Sequence, residues 1–360
     1  MTGGYNIPTN SDSTPAPPLS PFTRPPNGAA QPATPPEPPV SVDALPEDQI
    51  KALVLIEGDY GSGSGFVWKK DKQYFIVTNE HVLSGNKKIK ITGMDGTEYP
   101  TSGQLYGAVG YDLAILQIPT AQYSLEIQTD PMAGSKISDV VTVPGNSNGD
   151  RVPIQLNGRL LSIGPKILEV DAKFIEGNSG SPIIHRDSGK VIGVASYVTK
   201  DSLDDFEKAA QAKEFHWYGY RLDNVKQWER MDMQRFSDEG TEVRDTENLT
   251  NILIALLKGD KLPHTENDLV HKAILTYLAE RNAAHTQQEY LESVMKFNNT
   301  LHAISDSDLD KYTNTKLYSY HAGIIKDQQD ERVQIIKALA DINHLTNTAA
   351  QSFNNAAMHQ

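Results

Sequence analysis

Residues 176–182 read EGNSGSP and place Ser179 in a glycine-rich turn immediately before an apolar run, Pro182 to His185. Glycine tolerates the strained backbone of a tight turn and lets the chain approach a substrate closely. Gly177, Asn178 and Ser179 are therefore candidates for an oxyanion hole, in which the amides of Gly177 and Ser179 would point the same way. The tetrapeptide GNSG within this segment also occurs in ordinary turns, so the segment alone does not establish a catalytic serine.

Two upstream segments offer the partners that a serine nucleophile needs. Residues 75–83 read FIVTNEHVL, a β-strand that runs into a helical turn holding His81, and residues 111–116 read YDLAIL, which places Asp112 before an apolar strand. A serine hydroxyl requires a general base, and the base requires an acidic group that fixes its tautomer. Singly, His81 is typical of a structural histidine and Asp112 of a turn residue. Their order along the chain, His, Asp, Ser, favours a catalytic triad.

Together with the hairpin GSGSGFV at residues 61–67, these motifs resemble the trypsin-like (chymotrypsin-fold) serine proteases. GSGFV, TNEHV and DLAIL are most similar to the bacterial Do-like (high-temperature-requirement) proteases, and GNSGSP is also similar to the glutamyl endopeptidases. The resemblance covers roughly residues 48–200. It implies a serine endopeptidase without a cofactor, in which His81 is the general base, Asp112 orients it and Ser179 attacks the peptide bond. The alternative is a catalytically silent, protease-like scaffold that binds peptides or protein partners.

The resemblance also assigns candidate substrate-binding residues. By position, Lys173 lies at the floor of the S1 pocket, and Ser196, Tyr197 and Val198 lie on the strand that pairs with the substrate backbone. A lysine at the floor disfavours Arg or Lys at P1, the substrate residue before the cleaved bond. We expect a small or medium apolar P1 residue, with an acidic P1 residue second if Lys173 points inward. A Lys173 side chain in solvent is equally compatible with the sequence.

Asn178 bears on activation. Many animal proteases of this fold carry an aspartate directly before the serine, where it pairs with a newly cut N-terminal ammonium. Asn178 has no charge and cannot make that ion pair. We therefore expect activity that does not depend on cleavage near the N-terminus.

The chain divides by composition into four parts. Residues 1–45 hold more than half of its 21 prolines and predict a disordered linker. Residues 46–200 alternate short apolar runs with turns, which predicts an all-β sandwich or barrel, and the resemblance implies a mainly β, trypsin-like protease domain of two six-stranded barrels. Residues 201–244 are expected to be a connecting segment that packs on the barrel. Residues 245–350 predict an α-helical region rather than a PDZ domain, with one apolar stripe formed by Leu269, Val270, Ala273, Ile274, Tyr277 and Leu278.

Composition limits the other possibilities. The net charge of −13 disfavours nucleic acid as a partner, and the absence of cysteine removes disulfides and thiolate chemistry. The scattered histidines form no metal motif, and no apolar run is long enough to span a membrane. Partners are expected to be peptide or protein substrates, with a homo-oligomer or a protein partner bound through the C-terminal helices. The proline-rich start favours an exported protein whose signal is missing from this sequence, although a cytoplasmic location stays open.

Overall fold

The computed structural model describes residues 42–146, 154–200, 215–258, 268–286, 288–290, 292–297, 299–300, 303, 316–330 and 337. Most of the predicted linker and the stretch 201–214 lie outside these residues. The strands described are β1 Leu53–Gly58, β2 Ser62–Lys70, β3 Gln73–Thr78, β4 Ile89–Gly93, β5 Glu98–Tyr99, β6 Leu105–Ala108, β7 Ala114–Ile118, β8 Val140–Gly145, β9 Ile154–Ile163, β10 Ile167–Val170, β11 Pro182–His185, β12 Lys190–Lys200, β13 Phe215–Tyr220 and β14 Trp228–Met231. The helices with named bounds are α1 Glu47–Lys51, α2 Glu80–Leu83, α3 Pro131–Gly134, α4 Met233–Lys258 and α5 Asp268–Ala283; residues 319–330 form a further helix, called the 319–330 helix below.

The strands form two antiparallel sheets. The second sheet closes into a six-stranded barrel in the order β10-β13-β12-β11-β8-β9, and the first is an eight-stranded sheet in the order β14-β6-β7-β3-β2-β1-β4-β5. The predicted mainly β, trypsin-like double-barrel class is confirmed. The first sheet has eight strands where we predicted six, because the short β5 and the late β14 extend its two edges.

Apolar side chains from both sheets meet in a shared core. Phe66 and Leu113 of the first sheet region pack in one buried cluster with Val194 and Tyr220 of the barrel, and Leu45 joins them just before α1. Separate clusters fill the interior of each sheet. Because the two sheets share a core, the ends of their strands and the loops between them are held at fixed positions along a common cleft.

The sheets continue beyond residue 200, into the stretch for which we expected a connecting segment. β13 pairs with both β12 and β10 and so closes the barrel, and β14 pairs with β6. The aromatic residues of this stretch suit strands, since large flat side chains pack well on a pleated surface. Helical structure begins at Met233 with α4, before the predicted start at residue 245.

Most of the described residues of the C-terminal region are helical. In α5, Val270, Ala273, Ile274 and Tyr277 are buried as the apolar stripe predicts. Leu269 is 64% exposed, so its assignment to the buried stripe is wrong; it lies in the first turn of α5, at the rim of the stripe. Within the described residues, no helix is both long and apolar enough to cross a lipid bilayer.

Candidate active site

Two strand ends bring His81 and Asp112 together. β3 ends at Thr78 opposite Ala114 of β7, so the turn after β3 lies beside the residues that precede β7. His81 Nδ1 lies 2.6 Å from Asp112 Oδ2, and the His81 backbone amide donates to Asp112 Oδ1 at 3.0 Å. Asp112 therefore holds both the ring and the backbone of His81.

Further hydrogen bonds fix Asp112 itself. The Ser196 hydroxyl donates to Asp112 Oδ2 at 2.8 Å, and the Asn79 side-chain amide donates to the Asp112 carbonyl oxygen at 2.7 Å. Burial raises the pKa of Asp112, but the charge and hydrogen bonds of His81, with the Ser196 hydroxyl, outweigh it and hold this pKa below its ordinary value. The Asp112 carboxylate is thus ionised at neutral pH.

The His81 ring has the electronic environment of a general base. A carboxylate only accepts hydrogen bonds, so the proton of the neutral ring lies on Nδ1 and the lone pair on Nε2. Burial lowers the pKa of His81, but the negative charge and hydrogen bond of Asp112 outweigh it, and the net pKa is raised. The His81 side chain is 38% exposed, and its Nε2 has no hydrogen-bond partner within the ranges the structure describes.

Ser179 lies on a turn that the glycine-rich hairpin holds in place. The Ser64 amide donates to the Ser179 carbonyl at 2.8 Å, and the Ser64 hydroxyl donates to the Gly177 carbonyl at 2.7 Å. Gly180 adopts a φ of +87°, and a Cβ atom there would overlap the Ser64 carbonyl oxygen, so only glycine fits. Sequence reasoning gave Ser64 no role, although the GSGSG pattern of the hairpin was the available signal.

The three candidate oxyanion-hole residues differ in what their amides do. The Asn178 amide donates to the Ile175 carbonyl at 3.0 Å, and the Asn178 side-chain oxygen accepts from the Ile175 amide at 3.1 Å. Among the described residues, the amides of Gly177 and Ser179 have no acceptor. The turn therefore uses the Asn178 amide, whereas the amides of Gly177 and Ser179, which we predicted to face an oxyanion, make no hydrogen bond within the described residues.

The Ser179 hydroxyl is not aligned with His81 in this structure. Its hydrogen bond within the described residues goes from Oγ to the Ser196 carbonyl, at 3.4 Å. The Ser196 carbonyl and hydroxyl thus contact two different members of the predicted triad. Alignment of Ser179 with the free Nε2 of His81 requires the hydroxyl to turn away from Ser196.

The predicted substrate-binding residues differ in their exposure to solvent. Ser196 is buried on β12, Tyr197 stacks on Tyr218 with ring centroids 5.2 Å apart, and the Val198 side chain is exposed. The Lys173 side chain is exposed to solvent and does not line the cavity beside His81. The structure therefore favours the alternative in which Lys173 does not charge the floor of a pocket.

A cavity of about 510 Å³ opens beside His81, between the two sheets and the C-terminal helices. The sheets and their loops contribute His81, Asp112, Ser196 and Tyr197, while the helices contribute Val243, Arg244, Tyr320 and Ile324. Half-buried Arg244 lies over the ring of Tyr60, 3.3 Å from its centroid. No sequence signal pointed to these helical residues, because their approach depends on contacts across most of the chain.

One group of side chains in the described residues has the composition of a metal site. Asp139, His185 and Asp187 place one potential ligand atom each within 4.8 Å of one another. His185, however, uses both ring nitrogens within the protein: Nε2 lies 3.0 Å from Asp139, and Nδ1 lies 2.9 Å from the Ser188 hydroxyl. A metal at this position would have to displace one of these bonds, so we assign it none.

Comparisons with known proteins agree with the motifs. Residues 63–194 match the family model described as "Trypsin-like peptidase domain". The chain is 33% identical over 165 residues to "Serine protease Do-like HtrA" of Bacillus subtilis (strain 168), an alignment that covers 41% of this chain and 35% of that protein. It is 30% identical over 148 residues to "Probable periplasmic serine endoprotease DegP-like" of Rhizobium meliloti (strain 1021), with coverages of 39% and 28%.

Among solved structures, the serine endoprotease from Yersinia pestis is 24% identical, with a TM-score of 0.37 and coverage of 47% of this chain and 58% of that chain. The chain spans about a third of the length of the curated relatives it matches. The resemblance read from the motifs is confirmed at the level of the domain. The chain therefore carries, in residues 63–194, a domain of the trypsin-like peptidase family that is similar to those of Do-like serine proteases.

Proposed function

We propose that this protein is a serine endopeptidase in which Ser179 is the nucleophile, His81 the general base and Asp112 the residue that orients it. The observation that carries the proposal is the hydrogen-bonded pair of His81 and Asp112, in which Nε2 has no partner among the described residues and the His81 side chain lines an open cavity. Ser179 lies on a turn with two unused amides, and Ser196 bonds to both Ser179 and Asp112.

The chemistry follows from these groups. Ser179 Oγ attacks the carbonyl carbon of the peptide bond while His81 Nε2 takes its proton, and the amides of Gly177 and Ser179 stabilise the negative oxygen. His81 then gives the proton to the leaving amine. Water, deprotonated by His81, hydrolyses the acyl ester and restores the Ser179 hydroxyl.

A fluorophosphonate probe tests this function directly, because it reacts with serines that are activated by a base. We expect one adduct on Ser179 of the full chain, and loss of both labelling and peptide hydrolysis in Ser179→Ala. Ser181→Ala is a matched control in the same turn, since Ser181 is fully buried and has no proposed role. Labelling that persists in Ser179→Ala would remove Ser179 from the mechanism.

The second candidate is a catalytically silent scaffold that binds peptides or protein partners. It is favoured by one observation, the hydrogen bond from the Ser179 hydroxyl to Ser196 rather than to His81. Under this alternative the purified protein does not react with fluorophosphonate, yet it binds peptides equally well with Ser179 or Ala at the position. Equilibrium binding of an uncleaved peptide library to both proteins separates the two functions.

Independence from N-terminal cleavage is part of the proposal. Asn178 is fully buried and its side-chain oxygen accepts a hydrogen bond from the Ile175 amide at 3.1 Å, so the turn is held without an N-terminal ammonium. We expect the full chain and a protein beginning at Val42 to label Ser179 at similar rates. If only the shorter protein is labelled, removal of residues 1–41 is required for activity.

For the substrate we propose peptides with a small or medium apolar P1 residue. The exposed Lys173 weakens the case for an acidic P1 residue, and five tyrosines and three aliphatic residues line the cavity beside His81, together with polar and charged groups. Cleavage-site profiling on a proteome-derived peptide library, with Ser179→Ala as the control, measures this preference. Enrichment of Asp or Glu at P1 would contradict it.

We also propose export, with residues 1–45 as a spacer and the helices as the site of a homo-oligomer or partner contact. Support comes from the proline-rich composition and from the printed name of the Rhizobium relative, which is periplasmic. Fractionation of the producing cells tests the location. Light scattering of the full chain tests the oligomer, for which a monomer is the contrary result.

A further inference from the structure

A chain of hydrogen bonds joins the C-terminal helices to the turn that carries His81. His321, on the 319–330 helix, is 0% exposed; its Nε2 lies 2.9 Å from the Ser84 hydroxyl and its Nδ1 lies 3.2 Å from Glu239 Oε2 of α4. Ser84 ends α2, only three residues after His81, and its amide donates to the Glu80 carbonyl at 2.9 Å. The turn that holds His81 is thus tied at its end to two helices.

The carboxylate at the far end of this chain is itself fixed. Burial raises the pKa of Glu239, but hydrogen bonds from His321, the Tyr318 amide and Arg235 outweigh it and hold this pKa below its ordinary value. The His321 ring also stacks on Phe236, with centroids 4.4 Å apart. An ionised carboxylate only accepts, so His321 donates to Glu239 through Nδ1, and its Nε2 shares a hydrogen bond with the Ser84 hydroxyl.

Close packing accompanies the hydrogen bonds. The backbone of α4 lies directly on the turn after α2, so that a Cβ atom on Gly240 would overlap both the Ser84 hydroxyl and the Gly85 amide. One turn further along α4, the Arg244 guanidinium lies beside Gly85 and over Tyr60. The contact is therefore a fitted interface rather than a single bond.

We propose that Ser84, Glu239 and His321 are positioning residues, through which the C-terminal helices hold His81 in line with Asp112 for catalysis. The proposal rests on the assignment of His81 as the general base. The end of α2 is also held by buried Asn86, whose side-chain amide donates to the Val82 carbonyl at 2.9 Å. If α4 and the 319–330 helix move, the end of α2 loses its anchor on the helices, and we expect the 2.6 Å contact between His81 and Asp112 to loosen. The helices are then a working part of the catalytic unit.

The same three residues have the arrangement of a second Ser–His–acid site, but their surroundings do not suit catalysis. The His321 ring is fully enclosed, and the Ser84 amide is used within the fold, where it donates to the Glu80 carbonyl at 2.9 Å, although half-buried Ser84 itself lines the cavity beside His81. A nucleophile needs access and donors for an oxyanion. Mapping the fluorophosphonate adduct by mass spectrometry distinguishes the two roles, and an adduct on Ser84 would overturn the positioning role.

The test compares Ser84→Ala and His321→Ala with a matched control, His185→Ala. His185 is buried and bonds to Ser188 and Asp139 in the same Ser–His–acid pattern, at the end of β11 away from Ser179. We expect the first two variants to label Ser179 roughly fivefold to tenfold more slowly, the effect of a lost hydrogen bond. Histidine NMR should show the His81 pKa lowered, because Asp112 is what raises it. His185→Ala should change thermal stability alone.

Several results decide the matter. His321→Gln, whose amide reaches towards Ser84, should recover part of the rate. If His321→Ala does not fold, Ser84→Ala, which removes one hydroxyl, gives the answer. An unchanged His81 titration and labelling rate in a less stable Ser84→Ala would overturn the positioning role. If wild-type protein does not label at all, the proposed function fails, whereas the His81 titration still decides whether the helices position this ring.

Discussion

His81 and His321 both bond to a carboxylate through Nδ1 of the ring, yet their surroundings differ. His81 Nδ1 lies 2.6 Å from Asp112, in a cleft, with Nε2 free and the side chain 38% exposed. His321 Nδ1 lies 3.2 Å from Glu239, with Nε2 bound to Ser84 and the side chain fully enclosed. Both rings are oriented by an acid, but only the ring of His81 has a nitrogen available to a substrate.

The difference shows what separates a site that is suited to catalysis from a structural one made of the same residue types. Orientation by a carboxylate is common to both, so it does not by itself indicate catalysis. Access to Nε2 and a cavity beside it distinguish His81, and amides without an acceptor distinguish the turn of Ser179. In our proposal the enclosed site of His321 contributes rigidity to α2, the helical turn that carries His81.

The largest contrast should come from removal of each ring. His81→Ala deletes the proposed base, and we expect the labelling rate of Ser179 to fall at least ~10³-fold, as for residues that act as one catalytic unit. His321→Ala leaves the base in place and should cost roughly tenfold. The rates are measured with the same fluorophosphonate under identical conditions. An equal decrease of the labelling rate in the two variants would contradict the assignment of His81 as the base and of His321 as a positioning residue.

Substitution of each carboxylate sharpens the comparison. Asp112→Asn keeps the shape but favours the wrong tautomer of His81, and a loss of about 10²–10⁴-fold in peptide hydrolysis is expected. Glu239→Gln acts on His81 only through His321 and Ser84, so a loss nearer to tenfold is expected. Steady-state kinetics should place the Asp112→Asn loss in kcat. A Glu239→Gln enzyme as slow as Asp112→Asn would mean that Glu239 does more than position.

The two histidines also differ in how far sequence reasoning reached them. The strand FIVT before His81 and the strand AIL after Asp112 are local patterns, and antiparallel pairing of β3 with β7 places their ends side by side. That contact was therefore predictable from short motifs, while the roles of the residues stay a prediction. His321 lies 237 positions from Ser84, and nothing in either local sequence indicates the contact.

The strands β13 and β14 were not predicted, for the same reason. Residues of β13 and β14 carry aromatic side chains that suit strands, but the sequence does not show that they pair with β12 and β6. Pairing between distant segments is fixed by tertiary packing rather than by local propensity. β14 thus pairs at the edge of the first sheet and β13 closes the barrel, although both lie in a stretch that we predicted to be a connecting segment.

Glu80, beside His81 in sequence, is a buried carboxyl that neither site uses. Both of its oxygens lack a hydrogen-bond partner among the described residues, and burial, with the charges of Asp112 and Glu229, raises its pKa well above the ordinary value. The protonated form is thus favoured in the fold. Its contribution to stability is full below the unfolded pKa of about 4.3 and is lost as pH rises through the folded pKa.

We expect Glu80→Met to stabilise the protein at neutral pH by about 1–3 kcal/mol, the cost of an unpaired buried polar group. The free energy of unfolding of this variant should also vary less with pH than that of wild type. Glu98→Gln is the exposed control, and its surface ion pair with Lys90 should be worth less than ~1 kcal/mol. Destabilisation by Glu80→Met would point to a partner for this carboxyl.

The smallest expected effect is a displacement of the pH profile. Asp112 raises the pKa of His81, so the ring holds its proton to a higher pH than an ordinary histidine, near 6.5. Because only the neutral ring accepts the proton of Ser179, labelling should rise with pH through a midpoint above that value. Asp112→Asn should move the midpoint down, Glu239→Gln should move it less, and His185→Ala should leave it in place. A wild-type midpoint at or below the ordinary value would mean that the burial of His81, rather than the charge of Asp112, determines the pKa of its ring. The rings of His81 and His321 would then differ only in their exposure to a substrate.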